Sequence, residues 1–256
     1  MKKHIYNLEK KGITVFKNLF SKKETYQIKS KLEKIIKKRN NKKLFIGSEE
    51  NQIIWNYFYD DRSLLKLIHI KKIDSILKKI LEPNYVLQSS VAQNRILKKY
   101  KVNSKRKENL GMTWHTDSRY LNNKRISKGF SYLVLIALDK FVKKSGATYF
   151  IEDSINFVEQ PKRILTKQDL RKYKLKSIEM TEGSVCIMDT AMWHKAGESS
   201  INSRWSIFSI YTGWFVKPYF DYSKIFKFNI EKKYKKLLHF NSMPPKIDET
   251  RPVVTK

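Results

Sequence analysis

Between residues 85 and 214 the chain returns again and again to short runs of β-branched and aromatic residues, each closed by a turn signal. Residues 85–97, 130–138, 147–151, 174–180, 184–188 and 204–214 are such runs, and Ser145-Gly146 and Glu182-Gly183 punctuate them. Side chains of this kind fit a pleated, half-buried surface, so each run reads as a strand. Residues 130–138 are apolar at almost every position, which demands cover on both faces of the sheet that contains them.

Helical patterns come first. Residues 12–17 read as a short strand, and a helix starts after Ser21, where Ser21 and Glu24 have the spacing of a capping box. Its apolar stripe is Ile28, Leu32, Ile35 and Ile36; it is expected to end near Lys38, before an Asn-rich loop at 40–42. Residues 52–59 look like a strand or buried segment. The pattern over 64–81 predicts one helix, stopped by Pro83, with His69 inside it. Residues 98–110 read as a mobile, lysine-rich loop, 154–172 as an irregular excursion with a short helix at 167–172, and 230–240 as a last helical stretch. Helices followed by about eight strands predict an α+β fold: a double-stranded β-helix, or jelly-roll and cupin-like barrel, backed by N-terminal helices. Neither repeats nor linkers divide the chain. Residues 1–256 are expected to form one domain, with a core over about 12–219 and a C-terminal helix and tail at 220–256.

Within this frame the chemistry concentrates in Trp114-His115-Thr116-Asp117, Trp193-His194 and Arg204. Two imidazoles and one carboxylate can take three corners of one face of an octahedral Fe(II), leaving three positions open. On a strand, residues i and i+2 point to one face, so His115 and Asp117 can reach a single ion. His194 would supply the third ligand from a second strand. Arg204 could then anchor a carboxylate of a metal-chelating acid through a bidentate pair. The structural alternatives are a surface hydrogen bond for His115 and Asp117, a buried histidine at 194, and a salt bridge from Arg204 to Asp189 or Glu198.

Composition bounds the remaining possibilities. The formal net charge is +30, carried by 44 lysines and 10 arginines scattered through nearly every segment. Nucleic-acid readers lean on arginine and concentrate charge on one face, so a compositional origin is favoured. A basic nucleic-acid-binding protein and a non-catalytic small-molecule-binding barrel are the alternatives to an enzyme. The charge also admits an anionic substrate. Cys186, the single cysteine, reads as a buried apolar residue. With no apolar run near the ~18 residues of a membrane helix and no signal-peptide pattern at the N-terminus, a cytoplasmic protein is expected.

The chain resembles the phytanoyl-CoA dioxygenase group of Fe(II)/2-oxoglutarate oxygenases, from residues 12–16 and the helix after them to about Tyr219. The resemblance is carried by Trp114-His115-Thr116-Asp117, by Leu135-Ile136-Ala137-Leu138-Asp139 with Ser145-Gly146-Ala147-Thr148, and by Gly183-Ser184 through Trp193-His194 to Arg204. It implies Fe(II) on His115, Asp117 and His194, and 2-oxoglutarate as co-substrate with its distal carboxylate on Arg204, assisted by Ser206. It places a glutamine at Gln93 near the co-substrate, with Asn94 as the rival position. It implies hydroxylation of a small molecule's C–H bond by O2, with release of succinate and CO2; related halogenases lack the carboxylate that Asp117 supplies. Arg119, Tyr120 and the 98–110 loop are candidate substrate contacts. The sequence departs from the family where a Pro-Gly-Ser-His turn is usual: here it reads Glu152-Asp153-Ser154-Ile155.

Overall fold

The computed structural model describes residues 1–44, 47–48, 51–96, 113–118, 120–121, 124–125, 128–198, 203–225 and 229–240. The chain opens with α1 (Lys2–Lys11), β1 (Ile13–Phe16) and α2 (Lys22–Asn41), then β2 (Gly47–Ser48), β3 (Asn51–Trp55), α3 (Lys71–Ile80) and β4 (Val86–Ile96). A two-residue-stranded hairpin, β5 (Tyr120–Leu121) and β6 (Lys124–Arg125), precedes β7 (Ser131–Ala137), β8 (Tyr149–Ile151), α4 (Lys167–Arg171) and β9 (Leu175–Ser177). β10 (Val185–Asp189), β11 (His194–Lys195), β12 (Ser203–Thr212), α5 (Tyr222–Ile225) and α6 (Lys232–Leu237) complete it.

The larger sheet has seven strands in the order β1-β10-β7-β12-β4-β3-β2, and the smaller has the order β11-β8-β9. Every pairing in both sheets is antiparallel. Together they form the expected jelly roll with helices packed on the outside of the larger sheet. Side-chain alternation explains how one apolar run serves two cores. In β7, Tyr132, Val134 and Ile136 join the cluster that includes Leu32, Ile35 and Ile76 of the helices, while Leu133, Leu135 and Ala137 face inward with Cys186, Met188 and Phe150. β7 is therefore buried at every position, as a strand covered on both faces must be.

Ser21 caps α2 as expected, its hydroxyl accepting the Glu24 N–H while the Glu24 carboxylate accepts the Ser21 N–H. The helix runs on to Asn41, past the expected end at Lys38, so the asparagines at 40 and 41 belong to its last turn. The 64–81 pattern is not one helix. Residues Arg62–Ile68 wind as a tighter 3-10 helix, with Leu64, Leu65, Leu67 and Ile68 buried and Ser63 and Lys66, one 3-10 turn apart, left exposed. The backbone then extends at His69 and Ile70 before α3 begins. His69 thus lies between two helices, its Nε2 3.5 Å from Asp74. The strands expected at 147–151 and 174–180 are shorter: the first starts only at Tyr149, after Gly146 (φ 73°), and the second ends at Ser177, with Met180 kept as an isolated bridge to Phe141. α1 and α5 were not foreseen. The 98–110 loop and the tail beyond Phe240 lie outside the described residues, and no described helix is long and apolar enough to cross a membrane.

Candidate metal centre

His115 and His194 meet as a two-residue antiparallel bridge: each N–H donates to the other's carbonyl oxygen, at 3.0 and 2.9 Å. This bridge extends the smaller sheet by one position and brings the two rings to 4.3 Å between centroids. Asp117 is not on a strand, contrary to the sequence reading. Its N–H and that of Ser118 both donate to the Thr190 carbonyl oxygen, each at 3.0 Å, and this turn swings the carboxylate back toward the histidines. One ligand-type atom from each of His115, Asp117 and His194 lies within 4.8 Å of the other two.

Both rings are oriented from behind. His115 Nδ1 is 2.8 Å from the Thr113 carbonyl oxygen, and His194 Nδ1 is 3.0 Å from that of Met192. A carbonyl can only accept, so each Nδ1 carries the proton and each Nε2 presents its lone pair, the arrangement typical of a metal-ligating histidine. The two Nε2 atoms stand 3.9 and 3.5 Å from the Asp117 oxygens, too far for hydrogen bonds. The gap argues against a plain His–Asp hydrogen bond and leaves three lone-pair donors converging on one point. Burial holds the His194 imidazole below its ordinary value, against the pull of Asp117 upward, which favours the neutral ligand form.

A cavity of about 450 Å³ opens beside the triad, between the two sheets. Gln93, Thr148 and Arg204 contribute polar atoms, while much of the wall is hydrocarbon from Leu133, Leu135, Met188, Phe208 and Ile210. Arg204 is 3% exposed. Its Nη1 donates to the Gly146 carbonyl oxygen and its guanidinium carbon lies 4.0 Å from the Phe141 ring centroid. Among the described residues no carboxylate pairs with it; the Asp189 oxygens instead accept the N–H groups of Ala191 and Gly129. Burial, with the Arg95 charge across the ladder, lowers Arg204 to about 9, Asp139 opposing, so it remains cationic at neutral pH.

Among the described residues, Arg204 Nε and Ser206 Oγ, both buried, have no partner. Residues 204 and 206 share the inward face of β12, since Trp205 and Ile207 join the helix-side core. A buried donor and hydroxyl without partners are costly, and an anion bound between them would satisfy both. The two strand neighbours left open by sequence now separate. Gln93 faces the cavity opposite Ser206, whereas Asn94 faces the other way, held by Gln52 at 3.1 Å and Ser203 at 2.7 Å. Arg119 and the Tyr120 side chain lie outside the described residues.

The departure at Glu152-Asp153-Ser154-Ile155 leaves the turn intact. Asp153 takes the left-handed conformation (φ 64°) that glycine would favour, and Ser154 Oγ donates to the Ile151 carbonyl while accepting the Trp193 N–H at 2.9 Å. None of the four lines the cavity; the turn braces the strand that carries His194. Sequence reasoning also passed over Phe141 and Thr190, whose roles depend on contacts with residues 63 and 72 positions away.

A jelly roll with two histidines, one carboxylate and a buried arginine around one cavity defines a class, that of the iron and 2-oxoglutarate oxygenases. The phytanoyl-CoA dioxygenase (PhyH) family model matches residues 8–205, and the chain belongs to that family. Comparison with curated proteins returns no match. Among solved structures, HygX from Streptomyces hygroscopicus with nickel and 2-oxoglutarate bound superposes with a TM-score of 0.64 at 11% identity, over 86% of this chain and 90% of that one. SnoK, a non-haem α-ketoglutarate-dependent carbocyclase from nogalamycin biosynthesis, gives 0.64 at 13% identity, over 83% and 84%. The epimerase SnoN, in complex with Fe3+, α-ketoglutarate and nogalamycin RO, gives 0.62 at 10%, over 83% of each. At these identities the likeness is one of fold.

Proposed function

We propose that this protein is an Fe(II)- and 2-oxoglutarate-dependent dioxygenase that hydroxylates a C–H bond of a small molecule. The observation that carries the reading is the convergence of the His115, Asp117 and His194 donor atoms within 4.8 Å, beside a buried Arg204 whose Nε lacks a partner. The donor set fits a ferrous ion: two neutral imidazoles and one anionic oxygen, from a face that leaves further positions free. The orphaned Nε and Ser206 Oγ fit one carboxylate end of a keto diacid. HygX, SnoK and SnoN, whose names or bound ligands include 2-oxoglutarate, share the fold and add support.

In this reading His115, Asp117 and His194 would hold Fe(II), and Arg204 with Ser206 would hold the distal carboxylate of 2-oxoglutarate. Bound there, the metal and co-substrate supply with O2 an oxidant strong enough for an unactivated C–H bond, 2-oxoglutarate leaving as succinate and CO2. The chain's own part is geometric and electrostatic. Thr113 and Met192 carbonyls fix both imidazole tautomers, and Arg204 sets the co-substrate's direction. Gln93 offers a neutral hydrogen-bonding group on the adjacent strand. Asp117 fills the third protein position, which favours hydroxylation over halide transfer. The hydrocarbon wall excludes water and strengthens every charge interaction inside.

The test is anaerobic addition of Fe(II) and 2-oxoglutarate. A weak visible charge-transfer band should form and vanish in His194→Ala, and admitting O2 should convert 2-oxoglutarate to succinate. A wild-type protein that forms no band and makes no succinate would overturn the reading.

A further inference from the structure

Asp117 lacks the ladder that holds an ordinary strand residue, so something else must fix its carboxylate. Thr190, four residues before His194, is fully buried and makes six hydrogen bonds around that segment. Its carbonyl oxygen accepts both the Asp117 and Ser118 N–H groups, and its own N–H donates to the Ser131 carbonyl at 3.2 Å. Its hydroxyl lies 2.8 Å from Ser118 Oγ, 2.6 Å from Ser131 Oγ and 3.2 Å from the Ser131 carbonyl oxygen. The proton count closes: the Thr190 hydroxyl donates to the Ser131 carbonyl, and its two lone pairs receive the Ser118 and Ser131 hydroxyl protons.

We propose that Thr190 is the positioning residue for the carboxylate of the metal site, through a buried relay Ser118–Thr190–Ser131 that ties the Asp117 turn to the first residue of β7. This inference rests on the metal-site reading above. The relay is dry, with Ser118 at 7% and Ser131 at 6% exposure, so a missing hydroxyl leaves its partner unsatisfied rather than hydrated. The physical consequence is specific. With the relay intact, residue 118 is held on both backbone and side chain, and the preceding carboxylate has little rotational freedom. Without it, the side-chain anchor of residue 118 is gone while the two amide bonds to the Thr190 carbonyl stay, and the carboxylate can turn away from the two Nε2 atoms. Groups that orient ligands in this way typically alter metal affinity by 10–100-fold.

The full-length apo protein titrated anaerobically with Co(II), followed by its visible d–d absorption, provides the test. Thr190→Val keeps the shape and the backbone carbonyl but removes the hydroxyl; Thr190→Ser restores it. The valine variant should bind Co(II) about 10-fold more weakly, and the serine variant within about twofold of wild type, while the apo valine protein still unfolds in one cooperative transition, roughly 5 °C below the other two. Valine binding that matches wild type, or a weakening that serine does not restore, overturns the inference while leaving the metal site standing. A wild-type chain that takes up no Co(II) takes both down. Should Thr190→Val fail to fold, Ser118→Ala removes the outer hydroxyl alone and carries the same comparison.

Discussion

At the scale of single residues the molecule places charge where burial makes it expensive. Arg204 is a desolvated cation with one donor unsatisfied, a state that a protein keeps when a ligand completes it. Arg204→Met should therefore raise the Kd for 2-oxoglutarate by about 100-fold, the loss of a charge-assisted pair worth on the order of 3 kcal/mol. Ser206→Ala should cost about fivefold, as for one neutral hydrogen bond. Both are read from titration of the Fe(II)·2-oxoglutarate band, and equal affinities would contradict the assignment. His239 shows the same economy without a ligand. Burial lowers its imidazole to about 4, from an ordinary 6.5, although Nε2 donates to the Leu87 carbonyl at 2.9 Å. Because the folded value is depressed, the unfolded chain binds the extra proton between about pH 6.5 and 4. Stability contributed by the neutral ring is present above 6.5 and is lost as pH falls through that window, by an amount on the order of 3 kcal/mol. Chemical denaturation at pH 7 and pH 4.5 should show a fall that shrinks in His239→Gln.

At the scale of elements, strands such as β7, β10 and β12 of the larger sheet sort their side chains between a helix-side core and a cavity-side wall, and short turns hold the register. Gly183 is the tightest of these turns. Its φ is 79°, its N–H donates to Ala137 and its carbonyl accepts from Phe20. A Cβ there would lie 2.0 Å from the Phe20 backbone oxygen, so neither conformation nor space admits a side chain. Gly183→Ala should destabilise by on the order of 3 kcal/mol, seen as a lowered denaturation midpoint with an unchanged slope. A neutral result would mean that the segment around Phe20 yields easily. The Asp153 turn teaches the reverse: a left-handed position can be filled by aspartate, whose short polar side chain tolerates it. The turn therefore survives a sequence that does not advertise it.

At the scale of the whole molecule the balance of +30 sets a repulsive background on which these local contacts act. Like charges spread over the surface oppose compaction, and added salt screens them beyond a Debye length of about 10 Å at 0.1 M. The melting temperature should rise between about 0.02 and 0.5 M NaCl; a fall would show that attractive ion pairs, such as Lys29–Asp139 at 2.6 Å, outweigh the repulsion. Which features could be read in advance follows from the range of the interactions involved. The α2 cap, the buried β7, the His115–Asp117 pair and Arg204 all depend on neighbours a few positions away, or on residue types with few other uses. The break at His69, the Gln93-over-Asn94 choice, the orphaned atoms at 204 and 206 and the Thr190 relay depend on which faces meet. Sequence alone determined strand character and the chemical identity of the donors, because alternation and side-chain chemistry are local. Tertiary structure alone decided their convergence, because a bridge from His115 to His194 and a hydroxyl contact across 72 residues exist only once two sheets have closed around a common cavity.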